Sequence, residues 1–159
     1  MLEKISFFKA IRRWIWSRIM LFQRGMTIGV RVIAINSDGH VLMVRHGYTP
    51  GWHVPGGGVD YRETMDRAAR REVLEETGYQ VDGELKLLGL AYNHNQWKGD
   101  HVAVYVANSI SKVRDIKPSF EIEEIGFFSL DNLPEGTTKG TRARLAEWQA
   151  GEAVSAYWS

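Results

Sequence analysis

The segment that most constrains the fold of this chain is residues 57–79, GGVDYRETMDRAARREVLEETGY. Two glycines open it and a third lies near its end. Residues 63–77 between them consist mainly of strong helix formers and include neither glycine nor proline, so they predict a helix that Gly78 ends. Because residues 47–60 before it are rich in glycine and proline, the region is predicted to be a loop followed by a helix and a second loop.

Acidic side chains crowd one turn of this predicted helix. Glu72 and Glu76 are four residues apart and share a face, and Glu75 flanks that face. Such carboxylates repel each other and weaken a bare helix. A bound Mg²⁺ or Mn²⁺ ion, which takes oxygen ligands, turns this repulsion into attraction to the ion. Arg71 is placed to pair with Glu75 four residues later. The alternative interpretation is a solvated, charged helix face.

The rest of the domain alternates strand-like and turn-like segments. Strands are predicted at 26–36, 41–46, 85–93, 101–108 and 125–130, and a last helix at 138–150. An Asp-Gly turn at 37–40 predicts that the first two strands form a hairpin, and residues 97–100 supply the turn between the next two. Strands on both sides of a central helix predict an α/β domain with a mixed sheet.

Charge is distributed unevenly along the chain. The net charge is +1, but residues 1–24 hold six basic residues and one acidic residue. Apolar residues recur every three or four positions over 2–23, which predicts an amphipathic helix. We therefore divide the chain into a basic N-terminal helix, residues 1–24, and a domain over 25–159. Three interpretations of the helix compete: packing across the domain, a homodimer contact, or peripheral contact with an anionic membrane surface.

Composition excludes several classes of site. The chain has no cysteine, which excludes disulfides, cysteine zinc sites and thiol nucleophiles, and which fits the cytoplasmic location that we expect. No stretch approaches the ~20 apolar residues of a membrane span, and the N-terminal segment lacks the features of a secretory signal. A net charge of +1 gives no strong signal for nucleic acid.

The spacing within residues 57–79 resembles the Nudix box, G-x5-E-x7-R-E-U-x-E-E-x-G-U, in which U is bulky and aliphatic. All seven fixed positions match: Gly57, Glu63, Arg71, Glu72, Glu75, Glu76 and Gly78. Tyr79 departs from the usual aliphatic residue and is interpreted as a packing variant. GWHVPGG at 51–57 and EIEEIGFFSLDNLP at 121–134 also resemble the family, so the resemblance covers residues 26–150.

The resemblance implies a Nudix-like α/β/α sandwich and a metal-dependent hydrolase. Its expected substrate is a small nucleoside diphosphate derivative: a nucleotide sugar, a dinucleotide or a nucleoside triphosphate. The metal ion expected is Mg²⁺, with Mn²⁺ as the alternative. Its expected ligands are the carboxylates of Glu72, Glu75 and Glu76 and the carbonyl of Gly56. Glu63 and Arg71 are expected to orient those ligands.

The resemblance leaves the water-activating base open. It comes either from the box, where Glu72 and Glu75 are candidates, or from a later loop, where Glu121 is preferred to Glu124. The alternative for these later glutamates is ordinary surface charge.

Residues outside the box leave the substrate and the function class open. Four aromatic residues are placed to stack on a base: Tyr48, Trp52, Tyr92 and Trp97. A core position is favoured for Trp52. Two other functions compete with the enzyme. One is a Nudix-fold module that binds a nucleotide without cleaving it, although such modules commonly lose box carboxylates that this chain keeps. The other is a membrane- or RNA-associated adaptor led by residues 1–24.

Overall fold

The computed structural model describes residues 25–95 and 98–158. The predicted helix over 2–23 and Trp97 lie outside the described residues. The described elements are, in chain order, β1 (Thr27–Ala34), β2 (Val41–His46), β3 (Trp52–His53), α1 (Met65–Thr77), β4 (Tyr79–Val81), β5 (Lys86–Tyr92), β6 (Asp100–Ala107), β7 (Ile110–Lys112), β8 (Ile122–Phe128) and α2 (Lys139–Ala150). Neither described helix is long and apolar enough to cross a membrane.

The strands form two three-stranded sheets and a small two-stranded one. In the first, β6 lies between β1, to which it is parallel, and β5, to which it is antiparallel, so the predicted mixed sheet is confirmed. In the second, β2 pairs antiparallel with both β3 and β8. The short strands β4 and β7 pair with each other beside the end of α1.

Alternate residues of the central strands point to opposite sides, and one helix covers each side. Val32 of β1 packs in a core with Val73 of α1, whereas its neighbour Ile33 packs in a second core with Leu145 of α2. All four side chains are buried. Successive side chains of a strand point to opposite faces, and both faces of β1 are apolar here. The strands therefore lie between the two helices, which agrees with the α/β/α arrangement expected from the resemblance.

The predicted hairpin over residues 26–46 is wrong. The Asp-Gly turn itself forms, because the Asn36 amide donates to the His40 carbonyl and the Gly39 amide donates to the Asn36 carbonyl, both at 3.0 Å. Ile35 and Val41 then form a single bridge, after which β1 and β2 enter different sheets.

The reason is that residues 55–59 hold the edge of β1 that a hairpin partner needs. The Val30 amide donates to the Gly57 carbonyl at 2.8 Å, and the Val32 amide donates to the Pro55 carbonyl at 2.9 Å. Since β6 pairs along the other edge, the hydrogen-bonding groups on both edges of β1 are occupied and none remain for β2.

Helix α1 has well-defined ends. Thr64 caps its first turn by accepting from the Arg67 amide at 3.3 Å, so the helix starts slightly later than predicted. Gly78 ends it, as predicted, with φ of 74° and its amide bonded to the Leu74 carbonyl. A side chain at Gly78 would collide with the Arg114 carbonyl oxygen.

Gly78 and Gly83 form a matched pair for testing this helix end. Both are left-handed, with φ of 74° and 75°, but a Cβ at Gly83 meets no atom within 4 Å. We expect Gly83→Ala to lower the free energy of unfolding by about 1 kcal/mol, the cost of a left-handed alanine. Gly78→Ala should lower it by roughly 3 kcal/mol or more, because the backbone at Arg114 must also move away from the added methyl group. Urea unfolding measures both values, and equal losses would contradict the steric role of Gly78.

Candidate active site

The loop at Gly56 and Gly57 brings the backbone into contact with α1. The Gly56 amide donates to Glu76 Oε2 at 2.9 Å, and a Cβ at Gly57 would lie 2.5 Å from Glu72 Oε1. A side chain at Gly56 would strike the Val30 carbonyl oxygen. Glycine at both positions therefore lets two carboxylates lie directly against a loop that is itself bonded to β1.

Glu76 is a buried carboxylate without a firm cationic partner in the described structure. It is 5% exposed, and this burial raises the pKa of its carboxyl group to about 8, against the effect of the Gly56 amide. His46 Nε2 lies 3.4 Å from Glu76 Oε1. Burial and, next, the charge of Arg31 lower the pKa of His46, and both effects oppose a charged imidazole at this contact.

Glu72 and Glu76 together suit a divalent cation. Burial also raises the pKa of Glu72, although Arg71 opposes that effect. Carboxylates that have lost water without gaining an equal positive charge are costly, and a bound cation removes the cost. The oxygen donors of the two glutamates are of the type that Mg²⁺ and Mn²⁺ prefer.

Arg71 binds the carboxylates on the outer side of this site. Its Nη1 donates to Glu72 Oε1 at 2.8 Å and to Glu75 Oε2 at 3.1 Å, so the predicted pair with Glu75 forms. Its Nε and Nη2 donate to the two oxygens of Glu63 at 3.0 and 2.8 Å. These hydrogen bonds from Arg71 lower the pKa of Glu63 to about 2. One guanidinium thus fixes three glutamates.

The four expected ligands are only partly assembled. Glu72 and Glu76 meet at Gly56 and Gly57, but Glu75 extends to Arg71 and its side chain is 55% exposed. In residues 25–95 and 98–158 no three carboxylate or imidazole groups are arranged to hold one ion. The Gly56 carbonyl accepts from Arg31 Nη1 at 2.6 Å, which leaves it one further lone pair. Metal ligation by these residues therefore stays a prediction.

Arg31 belongs to the site and was not predicted. It lies on β1 between the buried residues Val30 and Val32 and also donates to the Val54 carbonyl at 3.4 Å. No carboxylate of the described chain lies within ion-pairing distance of it. The signal available in the sequence was a lone arginine in the middle of a strand of β-branched residues. Burying a charge there costs free energy unless the charge is paired or hydrogen-bonded.

A cavity of about 840 Å³ opens beside the glycine loop. Residues of its wall that bear on function are Arg31, His46, Tyr48, Asn93, Lys139 and Trp158. Glu72 and Glu76 do not line it, but they contact the Gly56–Gly57 part of its wall. Of the candidate stacking residues, Tyr48 lines the cavity, whereas Trp52 is buried in the core as favoured from the sequence.

The structure separates the glutamates at 121–124. Arg45 pairs with Glu123 at 3.3 Å and with Glu124 at 2.9 Å. Glu121 has no ion pair within the described residues, and its charge contributes to raising the pKa of Glu76 and of Tyr48. Glu121 is therefore the glutamate of the three that is unpaired within the described residues, and its charge acts on the buried carboxylate.

Comparisons with known proteins agree with the box. The family model described as NUDIX domain matches residues 25–149. The chain is 33% identical over 122 residues to the NAD-capped RNA hydrolase NudC of Edwardsiella ictaluri, which covers 71% of this chain and 43% of that protein. It is 30% identical over 106 residues to the ADP-ribose pyrophosphatase of Methanocaldococcus jannaschii, covering 64% of this chain and 61% of the relative.

A solved structure shares the fold. The MutT NUDIX hydrolase from Burkholderia pseudomallei superposes with a TM-score of 0.64 at 32% identity, covering 76% of this chain and 95% of that one. Among the curated relatives just named, the chain spans less than two thirds of the length of each.

Two adjacent arginines give a matched test of the outer carboxylate cluster. The ammonium group of lysine has three donors at one point and cannot reproduce the four hydrogen bonds that the planar guanidinium makes to the three glutamates. We therefore expect Arg71→Lys to lower kcat by about 10- to 100-fold, as is usual for groups that orient metal ligands. Arg70 pairs with Asp66 and with the Val81 and Gly83 carbonyls, away from the cluster. Arg70→Lys should leave kcat within about twofold. Steady-state kinetics measures both, and equal losses would contradict the assignment.

Proposed function

The chain belongs to the Nudix family, and we propose that it is a metal-dependent hydrolase that cleaves the pyrophosphate bridge of a nucleoside diphosphate derivative. The observation that carries this proposal is the contact of Glu72 and Glu76 with the Gly56–Gly57 loop, which also forms part of a cavity wall. The cavity size lies within the range of small-molecule sites.

The carboxylates would hold Mg²⁺ or Mn²⁺ at this wall, with the Gly56 carbonyl and Glu75 as further ligands. The ion, when bound, supplies positive charge that offsets the negative charge developing on the phosphate oxygens. The protein's own contribution is to keep Glu72 and Glu76 fixed. Arg71 holds the first from outside and the Gly56 amide holds the second, so neither needs to reorganise when the substrate enters.

Arg31 is proposed to bind a phosphate oxygen of the substrate. Its Nη1 is bonded to backbone carbonyls, whereas its Nε and Nη2 make no hydrogen bond within the described residues. A guanidinium fixed on one side and open on the other is suited to a charge-assisted bond with phosphate. Its position beside Gly56 would hold the pyrophosphate bridge next to the carboxylates.

Glu121 is proposed as the water-activating base. In the reaction a water oxygen bonds to one phosphorus, the bond from that phosphorus to the bridging oxygen breaks, and the carboxylate takes a proton from the water. Glu123 and Glu124 are paired with Arg45, whereas Glu121 makes no ion pair within the described residues and its carboxylate is open to a water molecule.

The first test is the loss of a ligand. Glutamine at 76 keeps an oxygen that can accept from the Gly56 amide but carries no charge, so Glu76→Gln should retain the fold and lose more than about 100-fold in kcat. Dinucleotides, nucleotide sugars and nucleoside triphosphates are assayed with Mg²⁺ and with Mn²⁺ by phosphate release after phosphatase coupling. Removal of metal by a chelator should abolish turnover, and added Mg²⁺ or Mn²⁺ should restore it.

Two outcomes would contradict the proposal. Turnover by Glu76→Gln at the wild-type rate would exclude its role as an essential ligand. Inactivity of the wild-type chain on every substrate would favour the alternative, a Nudix-fold module that binds a nucleotide without cleaving it.

The second test separates the base from its neighbours. Glu121→Gln should lower kcat by about 10²- to 10⁴-fold, the usual contribution of general base catalysis, with little change in KM. Glu124→Gln removes a charge of the same type from an exposed ion pair and should change kcat by less than about twofold. If the two variants lose activity equally, or Glu121→Gln loses none, the base is another group.

Residues 1–24 carry separate proposals that rest on their sequence. They are proposed as a basic helical segment ahead of the domain over 25–159, with packing across the domain, a homodimer contact or contact with anionic lipid as its role. Liposome flotation and sedimentation of the full chain and of residues 25–159 distinguish these roles. The cytoplasmic location likewise stays a proposal.

A further inference from the structure

The C-terminal segment, residues 152–158, lies beyond the matched family region yet is bonded to the domain. The Tyr92 amide donates to the Ala156 carbonyl at 2.7 Å, and the Trp158 amide donates to the Tyr92 carbonyl at 2.9 Å. These bonds form a parallel bridge between Tyr92 and Tyr157 at the end of β5. The segment therefore adds one bridge beside the edge strand β5 and reaches the cavity at Trp158.

A buried arginine holds this segment. Arg144 of α2 is 2% exposed, and its Nη2 donates to Glu147 Oε1 at 2.7 Å. The same glutamate oxygen accepts from the Ser155 amide and hydroxyl, and Arg144 Nη1 donates to the Ser155 carbonyl at 3.4 Å. A buried ion pair contributes little net stability, but it fixes the groups bonded to it in one arrangement.

Trp158 is the aromatic residue that this arrangement presents to the cavity. The guanidinium carbon of Arg144 lies 5.5 Å from the centre of a Trp158 ring, and the side chain also packs on the core beneath α2. It remains partly exposed and lines the cavity together with Asn93 and Asn95. Asn93 is 7% exposed and its Nδ2 donates to Asp100 at 2.8 Å, which orients its amide.

We propose that Trp158 is the surface on which the nucleobase of the substrate stacks, with the Asn93 and Asn95 amides beside it for hydrogen bonds to the base edge. This inference rests on the proposed function in that the same cavity takes in Gly56 and Arg31, where the phosphates would bind. Tryptophan offers a flat, rigid face to any base, and the amides supply both donors and acceptors. A base of a nucleotide is the planar, polar-edged group that such a wall fits.

The test compares a ligand that has a base with one that has none. AMP, GMP, CMP and UMP are titrated calorimetrically against the full chain, with inorganic pyrophosphate as the ligand without a base. Trp158→Ala should weaken binding of at least one nucleotide by about tenfold or more, the usual effect of losing a stacking partner, and leave pyrophosphate binding unchanged. Trp158→Phe should weaken nucleotide binding less than Trp158→Ala.

Controls keep a structural effect apart from a stacking effect. Trp148 packs on the same core and does not line the cavity, so Trp148→Phe should leave nucleotide binding unchanged. Urea unfolding shows whether each variant folds. If Trp158→Ala does not, Trp158→Leu keeps apolar packing without a ring and should give the same loss of nucleotide binding.

Several outcomes would overturn the inference: unchanged nucleotide affinity in Trp158→Ala, equal loss of nucleotide and pyrophosphate affinity, or no nucleotide binding by the wild-type chain. The proposed function fails in a different way. If no pyrophosphate compound is hydrolysed while nucleotides bind in a Trp158-dependent manner, the hydrolase proposal fails and the base site stands. If a substrate is hydrolysed with the same KM in wild type and Trp158→Ala, the reverse holds.

Discussion

The hydrogen bonds between β1 and residues 55–59 are the constraint on which the rest of the structure depends. They hold Gly56 and Gly57 against the strand, and this places one backbone amide within reach of Glu76. The same bonds use the edge of β1 that β2 would need, so β2 pairs with β8 instead. A single set of backbone contacts thus determines both the sheet arrangement and the position of the site.

The distribution of positive charge then gives the glutamates of α1 different properties. Arg71 lies on the outer side and bonds to Glu63, Glu72 and Glu75, which fixes these side chains, and its hydrogen bonds lower the pKa of Glu63. Glu76 lies inside, where burial removes water and no guanidinium bonds to it, so it is the group with the most to gain from a cation. Glu75 and Glu76 are adjacent in sequence but differ in environment, because within the described residues Arg71 donates to Glu75 and no guanidinium donates to Glu76.

Local patterns made part of this structure predictable. The end of α1 at Gly78 follows from helix propensity and a terminal glycine, and the Arg71–Glu75 pair follows from helical spacing. The start of α1 is later than predicted, because Thr64 caps the helix. The hairpin could not be excluded, because the turn signal at 37–40 is genuine and the competing partner of β1 is distant in sequence. β4 and β7 have three residues each, which is too short for an alternating pattern of apolar and polar residues to be recognised. Arg31 was missed because its importance depends on the carbonyls that the fold brings to it.

The C-terminal segment shows why substrate choice was the least predictable property. The groups that we propose as metal ligands come from one loop and one helix, so their spacing in sequence carries the signal. The cavity wall comes from distant pieces, of which Trp158 lies outside the family domain and is held by Arg144 through buried, directional bonds. Such bonds tie the segment to α2 and β5 and leave the Gly56 loop untouched. The residues of the cavity wall can therefore differ without disturbing the carboxylates. For this reason the residues of the box do not determine which nucleobase binds.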